Sequence, residues 1–353
     1  MSSSLPDFET VVDTLNVKPG HRNFLALDAS PSSSRRHFED DYGVSYSDEK
    51  LLQLRRMALE ARDGSVGLGD VYDAIIAHNS LYDQTGSDGE TPLLEIANEN
   101  GVIVIGKLIG VGRNGTASDE DLVTFGEDLD NILKRNGVHV VKLRQEFYPN
   151  RPQATSEGVD KFVKMHEICA QKDVLTLIEP EIMKDHGEFY THADLQLDVL
   201  RRIEDGIRAS GAAKHPRFYK TSIAGAEQSR DSFDAAEWAR VTVANALSAG
   251  IYDVGKVVRL SGGWDTDTML AVQNEIGKQV QRITGAYDGA SYARAGLRSA
   301  VGVLFEDAQS PNFAAGAHEL LRTGLVTRAA IAGRLSEDIK AEESLTVIQE
   351  ALN

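Results

Sequence analysis

The sequence holds a single cysteine, Cys169, among 353 residues. One thiol closes no intramolecular disulfide and builds no all-cysteine metal cluster. Basic residues are also short: 37 Lys and Arg stand against 54 Asp and Glu, a formal charge of −17. A chain this acidic is a poor general binder of nucleic acid or of anionic membrane surfaces. Any anionic ligand must then be met by a local cluster of cations. No apolar run approaches the ~18 residues that would suggest a membrane span. The stretch Met1–Phe8 has neither the basic nor the apolar segment of a secretory leader. These absences set the expectation of a cytoplasmic enzyme or scaffold with no nucleic-acid and no membrane partner. H-E-x-x-H is missing as well. His186 and His192 lie six apart near acids, without ligand spacing, and read as solvated loop residues, so neither a metal nor a cofactor is expected.

What is present is enough apolar surface, 41% of residues, to build a substantial core. No Pro/Gly/Ser tract divides the chain; the polar patches Ser30–Ser34 and Gln84–Thr91 are loop-sized. One domain is expected over 1–353, with a lead-in at 1–22 and a C-terminal helical extension over about 310–353. Short apolar runs recur: Phe24–Leu27, Val71–Ala77, Val102–Ile105, Val138–Val141, Val174–Ile178, Arg217–Tyr219 and Val257–Leu260, with a weak eighth around Arg282–Tyr287. Such runs bounded by turn signals read as buried strands. Between them, Asp48–Arg62, Glu120–Arg135, Glu157–Gln171, Thr191–Ala209, Asp234–Ser248 and Asp265–Val280 show helical period. Strand–helix alternation predicts a parallel sheet. About eight units predict closure into a (β/α)8 TIM barrel with additional C-terminal helices.

A barrel carries its chemistry at the C-terminal ends of its strands. The apolar runs stop at Asp28, at His78 and Asn79, at Lys107, Lys142, Glu179, Lys220 and Ser261. Asp28 with Ser30, Lys142 with Arg144 and Glu179 with Glu181 are spaced i, i+2, which on a strand means one face. Lysines and acids converging from different strands must pair or shift their pKa values. A lysine kept neutral among cations and low-dielectric walls is the nucleophile for a Schiff base with a carbonyl. Neighbouring carboxylates then move the protons. Ser261-Gly262-Gly263 offers backbone N–H groups to an oxyanion, and Arg294 sits at the start of a predicted helix, the usual phosphate corner of these barrels. Ser30–Ser34 beside Arg35 and Arg36 reads either as a flexible loop or as a phosphate grip of hydroxyls and guanidinium groups. Gly110–Gly115 matches G-x-G-x-x-G, but it follows the third strand rather than an opening one, and reads better as a turn at the barrel mouth than as a nicotinamide fingerprint.

The segments Leu-Asp-Ala-Ser (27–30), Val-Lys-Leu-Arg (141–144), Leu-Ile-Glu-Pro-Glu-Ile (177–182), Leu-Ser-Gly-Gly (260–263) and Ser-Tyr-Ala-Arg-Ala (291–295) occur in that order. Together they resemble class I fructose-1,6-bisphosphate aldolase, the metal-free Schiff-base type, from about Phe24 to Ala300. The resemblance implies that Lys220 forms the Schiff base. Glu179, with Glu181 beside it, would serve the carbinolamine steps, Asp28 would take the C4 hydroxyl proton, and Lys142 would be the second active-site lysine with Arg144 as its neighbour. Lys107 and Ser33 fall where the family grips the C6 phosphate, and Arg36 or His37 where a phosphate-binding arginine is common. Ser261, Gly262, Gly263 and Arg294 fall where it holds the C1 phosphate. The implied partner is a sugar phosphate, and a homo-oligomer, a tetramer in many members, is expected. The chain departs from the family at Thr221-Ser222-Ile223, where Pro-Asn-Met is usual, at Ala29, where an acid is usual, after Lys107, where a second lysine is usual, and in its last tyrosine being Tyr292. The expected reaction is reversible cleavage of fructose 1,6-bisphosphate. The alternatives are the same chemistry on another phosphorylated or sulfonated ketose, a nicotinamide-dependent oxidoreductase, and a sugar-phosphate-binding barrel without turnover.

Overall fold

The computed structural model describes residues 10, 11, 13, 15, 22–108, 119–134, 138–183, 189–223, 234–254, 256–260, 264–285, 287–307 and 310–352. Eight strands form the barrel: β1 (Asn23–Leu27), β2 (Ala74–Ala77), β3 (Ile103–Lys107), β4 (Val138–Phe147), β5 (Leu175–Ile182), β6 (Arg217–Thr221), β7 (Lys256–Leu260) and β8 (Gly289–Tyr292). All neighbours pair in parallel, and β1 closes the ring by pairing with both β2 and β8. The expected (β/α)8 barrel is therefore observed.

Alternation along the strands produces two apolar layers. Phe24, Ala26, Ala74, Ile76, Ile103, Ile105, Val140, Leu175, Leu177, Phe218 and Val258 fill the interior, joined by Val11 and Leu15. The intervening residues, such as Leu25, Ile75, Val104, Val141, Ile178 and Val257, face the helices. Each such side chain buried in full stabilises by roughly 2 kcal/mol relative to exposure. Continuous apolar runs rather than alternating ones follow from burial on both faces.

The helices are α1 (Pro31–Arg36), α2 (Asp48–Leu59), α3 (Leu93–Glu99), α4 (Asp119–Leu133), α5 (Pro152–Ala170), α6 (Phe189–Ala209), α7 (Ala235–Ser248) and α8 (Thr266–Thr284). After them come α9 (Arg294–Leu304), α10 (Phe313–Ile331), α11 (Glu337–Ala341) and α12 (Leu345–Leu352). Local chemistry sets several starts: Ser47, Asp234 and Asp265 accept backbone N–H bonds as N-caps of α2, α7 and α8. The six long helical expectations hold apart from their ends. The C-terminal segment is helical as expected, with α12 packing its Leu345 and Ile348 into the core. Among the described residues no helix is long and apolar enough to cross a membrane.

Three expectations are corrected. The eighth strand is Gly289–Tyr292, not Arg282–Tyr287. Residues 282–284 instead finish α8, which stops where Gly285 takes a left-handed φ of 68°. In the run 71–77, Val71 ends a helical turn and the strand begins only at Ala74. The stretch 30–34 is not a loop: Pro31 opens α1 with Ser30 as its N-cap, the position where proline's missing N–H does no harm.

α8 lies close against the end of α10. A Cβ on Gly277 would sit 2.5 Å from the Ile331 carbonyl oxygen and 2.7 Å from the Gly333 nitrogen, both backbone atoms. Gly277→Ala is expected to destabilise the fold by about 2 kcal/mol or more, as overpacking does. Thermal unfolding followed by circular dichroism checks this; an unchanged midpoint contradicts the close approach.

Candidate active site

The interior alternation of apolar residues ends in charge. Continuing the inward phase, β1 leads to Asp28, β2 to His78, β3 to Lys107, β4 to Lys142, β5 to Glu179 and β6 to Lys220. Register brings them together: Lys107 pairs with Lys142, and because Ile178 pairs with Tyr219, Glu179 and Lys220 are the next residues up on adjacent strands. Asp28, Lys142, Glu179 and Lys220 are all buried.

Lys142 is the hub. Its Nζ donates to the Asp28 carboxylate and lies 2.7 Å from Glu179 Oε2. Lys220 Nζ is 3.2 Å from the other oxygen, Glu179 Oε1. Lys107 Nζ donates to the Asp28 backbone carbonyl at 2.9 Å and stands 3.6 Å from its carboxylate. The charges divide the two buried lysines. Burial works against the ammonium of Lys142, but Asp28 and Glu179 overcome it and raise the pKa above the ordinary value. Lys220 suffers the same burial, is pulled up by Glu179 and pushed down by Lys142, and ends below the ordinary lysine range. Burial also lowers Lys107. Burial opposes ionisation of Asp28, yet Lys142, Lys220 and Lys107 outweigh it and hold its carboxyl well below the usual carboxylate range. Glu179 is lowered too: Lys142 and Lys220 prevail over its burial.

Nearer the rim, Arg144 donates to Glu181 and lies 2.9 Å from Glu146, and these carboxylates raise the Arg144 guanidinium against its burial. Ser30 and Asp28 are not a strand pair, because β1 stops at Leu27. Ser30 Oγ instead accepts the Ser33 N–H at 3.3 Å and donates to Ser33 Oγ at 3.0 Å. Arg36 is exposed on the last turn of α1, outside the cluster. Arg294 opens α9 as expected and reaches Asp41 at 3.4 Å; His37 binds the same carboxylate at 2.9 Å. Ser261, Gly262, Gly263, Gly110–Gly115 and His186 lie outside the described residues. His192 is not a solvated loop histidine: it is buried in α6 and donates Nε2–H to the Ile182 carbonyl at 3.1 Å. Sequence reasoning passed over a second set of charges, on the outer face of the barrel wall: Glu204, Arg217, Arg259 and Asp288. The available signal was an arginine inside two apolar runs, Arg217-Phe218-Tyr219 and Val257-Val258-Arg259-Leu260.

No protein-family model matches the sequence. Among curated proteins, the chain is similar to the muscle-type fructose-bisphosphate aldolase of Lethenteron camtschaticum, 26% identical over 175 residues, 46% of each chain. It is also similar to fructose-bisphosphate aldolase C of Carassius auratus, 27% identical over 182 residues, 48% of this chain and 47% of that one. The matched stretch thus spans about half the length of these relatives. In three dimensions the chain superimposes on the fructose-bisphosphate aldolase of Plasmodium falciparum, solved in complex with TRAP and a small-molecule inhibitor. The TM-score is 0.78 at 18% identity, covering 95% of this chain and 98% of that one. Fold and cluster define a (β/α)8 barrel with a lysine–carboxylate centre. The resemblance to class I fructose-bisphosphate aldolase seen in the sequence motifs is borne out by these relatives.

Two outcomes are expected. Lys142→Met leaves Asp28 and Glu179 without their shared cation, a loss of about 3 kcal/mol or more. In the wild type both carboxyls are depressed, so their stabilisation is present above the ordinary carboxylate pKa and fades as acid protonates them. The deficit of the variant is therefore largest above about pH 5 and shrinks below it. Urea titrations across pH check this; a deficit that grows in acid contradicts it. The second concerns His78. Ser80 N–H donates to His78 Nδ1 at 3.1 Å, which leaves the proton on Nε2, and burial together with Lys107 and Arg55 lowers the ring's pKa to about 4. Nitrogen NMR is expected to show a neutral Nε2–H ring throughout the neutral range; a midpoint near 6.5 contradicts this environment.

Proposed function

We propose that the protein is a class I aldolase that cleaves a phosphorylated ketose, fructose 1,6-bisphosphate first among candidates, through a Schiff base on Lys220. The observation that carries this reading is the placement of Lys220. It is buried, its ammonium form is disfavoured by burial and by Lys142, and a carboxylate oxygen lies 3.2 Å from its Nζ. A free amine held against a proton donor and acceptor is what carbinolamine chemistry requires.

In this mechanism the Lys220 amine adds to the C2 ketone. The C2 oxyanion takes one proton from solvent to become a hydroxyl. Glu179 takes the proton released from nitrogen and delivers it to that hydroxyl, which departs as water. The resulting iminium is an electron sink. Asp28, kept ionised by its lysines, accepts the C4 hydroxyl proton while the C3–C4 bond breaks and its electron pair enters the enamine. Glyceraldehyde 3-phosphate leaves. Protonation of C3 and hydrolysis then release dihydroxyacetone phosphate and regenerate the amine. Lys142, charged throughout, offsets negative charge on Asp28 and on the developing oxyanion. Arg294 and residues 261–263 would hold the C1 phosphate, and Lys107, Ser33, Ser30 and Arg36 the distal one. Arg144 and Glu181 border the site from the rim. The resemblance and the convergence of strand ends support these roles. No step runs through a metal, so a chelator is expected to leave activity intact.

Borohydride reduction in the presence of dihydroxyacetone phosphate, read by intact mass and peptide mapping, tests the proposal. The expected adduct sits on Lys220 and is missing in Lys220→Met. In Glu179→Gln the strongest influence raising Lys220 is removed, so the pH at which trapping reaches its plateau moves down. Turnover nevertheless falls by about 10²-fold or more for want of the proton carrier. A folded wild type that yields no adduct with either dihydroxyacetone phosphate or fructose 1,6-bisphosphate sinks the mechanism.

A further inference from the structure

Side chains adjacent to Lys220 along β6 point the other way, into the layer between barrel and helices. Both are tied to buried charge. Tyr219, before it, donates its hydroxyl to Glu204 at 2.6 Å, and Glu204 is held by Arg217 at 2.6 Å. Thr221, after it, accepts a 2.6 Å bond from Arg259 Nη1. Arg259 is itself anchored: Nε donates to Asp288 at 2.7 Å, Nη2 donates to the Tyr252 hydroxyl at 2.9 Å, and that hydroxyl donates to Asp288 at 2.8 Å. Tyr219, Thr221, Glu204, Arg259 and Asp288 have no exposed surface. One residue further on, Gln196 donates to the Ser222 carbonyl at 2.7 Å and to its hydroxyl at 3.2 Å.

The burial of so many ions behind one strand is costly in desolvation and needs a closed set of partners. What the set holds is a single point of backbone, the end of β6. Arg259, Asp288 and Tyr252 come from β7, from the residue before β8 and from the short helix Ile251–Val254 before β7, so they also lock β6 to the strands that follow it. Lys220 reaches the cluster from this point. Its Nζ stands 3.2 Å from Glu179, and a shift of β6 would change both that distance and its separation from Lys142.

We propose that Thr221 is a positioning residue for Lys220, with Arg259, Asp288 and Tyr252 as the anchor that holds it. The hydroxyl at 221 touches no reacting group; it fixes the strand end so that the Lys220 amine keeps its place against Glu179 and Lys142. This inference rests on the Schiff-base reading for its effect on turnover, but not for its effect on the lysine itself.

The test is Thr221→Val, which keeps the shape and removes the acceptor, compared with Thr221→Ser, which keeps the hydroxyl. In the valine variant kcat and the imine-trapping rate are expected to fall about tenfold with KM unchanged. The serine variant is expected to stay near wild type. Competitive acetylation of Lys220 across pH, read by peptide mass without any substrate, is expected to show a displaced midpoint in the valine variant and not in the serine one. If Thr221→Val is too unstable to assay, Thr221→Ala, which leaves room for a water on Arg259, carries the same comparison. An unchanged Lys220 midpoint in the valine or alanine variant overturns the proposal, as does a serine variant that is equally impaired. A wild type that gives no adduct, but whose Lys220 midpoint still responds to residue 221, refutes the Schiff-base mechanism and leaves the positioning role standing.

Discussion

The structure depends on the pair of carboxylates that share Lys142. Unit charges about 3 Å apart attract by about 5 kcal/mol at an effective dielectric near 20. Removing each ion from water costs several kcal/mol. The two magnitudes are comparable, so the site is sustained only while every member keeps its partner. Lys142 binds Asp28 and Glu179 together, and Glu179 then has one oxygen left for Lys220. Three lysines face two carboxylates, Lys107, Lys142 and Lys220 against Asp28 and Glu179, so the fully ionised cluster carries surplus positive charge. The surplus falls on the lysines with the weakest claim on the acids, which is why Lys220 and Lys107 are lowered while Lys142 is raised.

A barrel wall suits such a cluster because it separates two functions by parity. Residues facing inward carry the lysines and acids; those facing outward pack on helices. On most strands the outward residues are mainly apolar; on β6 all of them are polar, with Arg259 on β7 and Thr176 on β5 as further buried polar residues beside it. The outward residues of β6, Arg217, Tyr219 and Thr221, all take part in buried polar networks that run to α6, β7 and the approach to β8. Apolar contacts tolerate small slides, since dispersion is weak and undirected. Short charge-assisted hydrogen bonds do not. The strand that bears Lys220 is thus held by directional bonds on its outward side, one of them made by Arg259 of the neighbouring β7.

Most of the architecture was legible because a parallel barrel writes itself as apolar runs separated by amphipathic helices. The eighth strand escaped because Gly289-Ala290-Ser291-Tyr292 is short and small-sided, and it reads as a turn unless the seven strands before it demand closure. The lysines and acids were legible because a polar residue continuing the inward phase of a strand has nowhere to go but the barrel mouth. Ser30 was misplaced on a strand face because Pro31 starts a helix one residue later. His192 was misread because its carbonyl partner, Ile182, belongs to another element and leaves no trace in local sequence. Arg259 and Asp288 are 29 residues apart, and only the parallel pairing of β7 with β8 brings them together.

The site is graded in depth. Asp28, Lys142, Glu179 and Lys220 are sealed, and their geometry is over-determined by one another. Lys107, His78, Arg144, Glu181 and Arg294 stand at the rim, partly open to solvent, each held by one or two contacts. A change in the sealed layer strands a buried charge, so its composition is constrained by the fold as much as by chemistry. A change at the rim strands nothing, because water replaces the lost partner. On the proposed reading, the carbonyl chemistry and the choice of ketose are therefore carried by different layers. On that reading Lys107, which would meet the distal end of a substrate, stands at the rim, and a change there leaves the Lys220–Glu179 pair in place. Substrate range can shift at this rim while the mechanism beneath it stays the same.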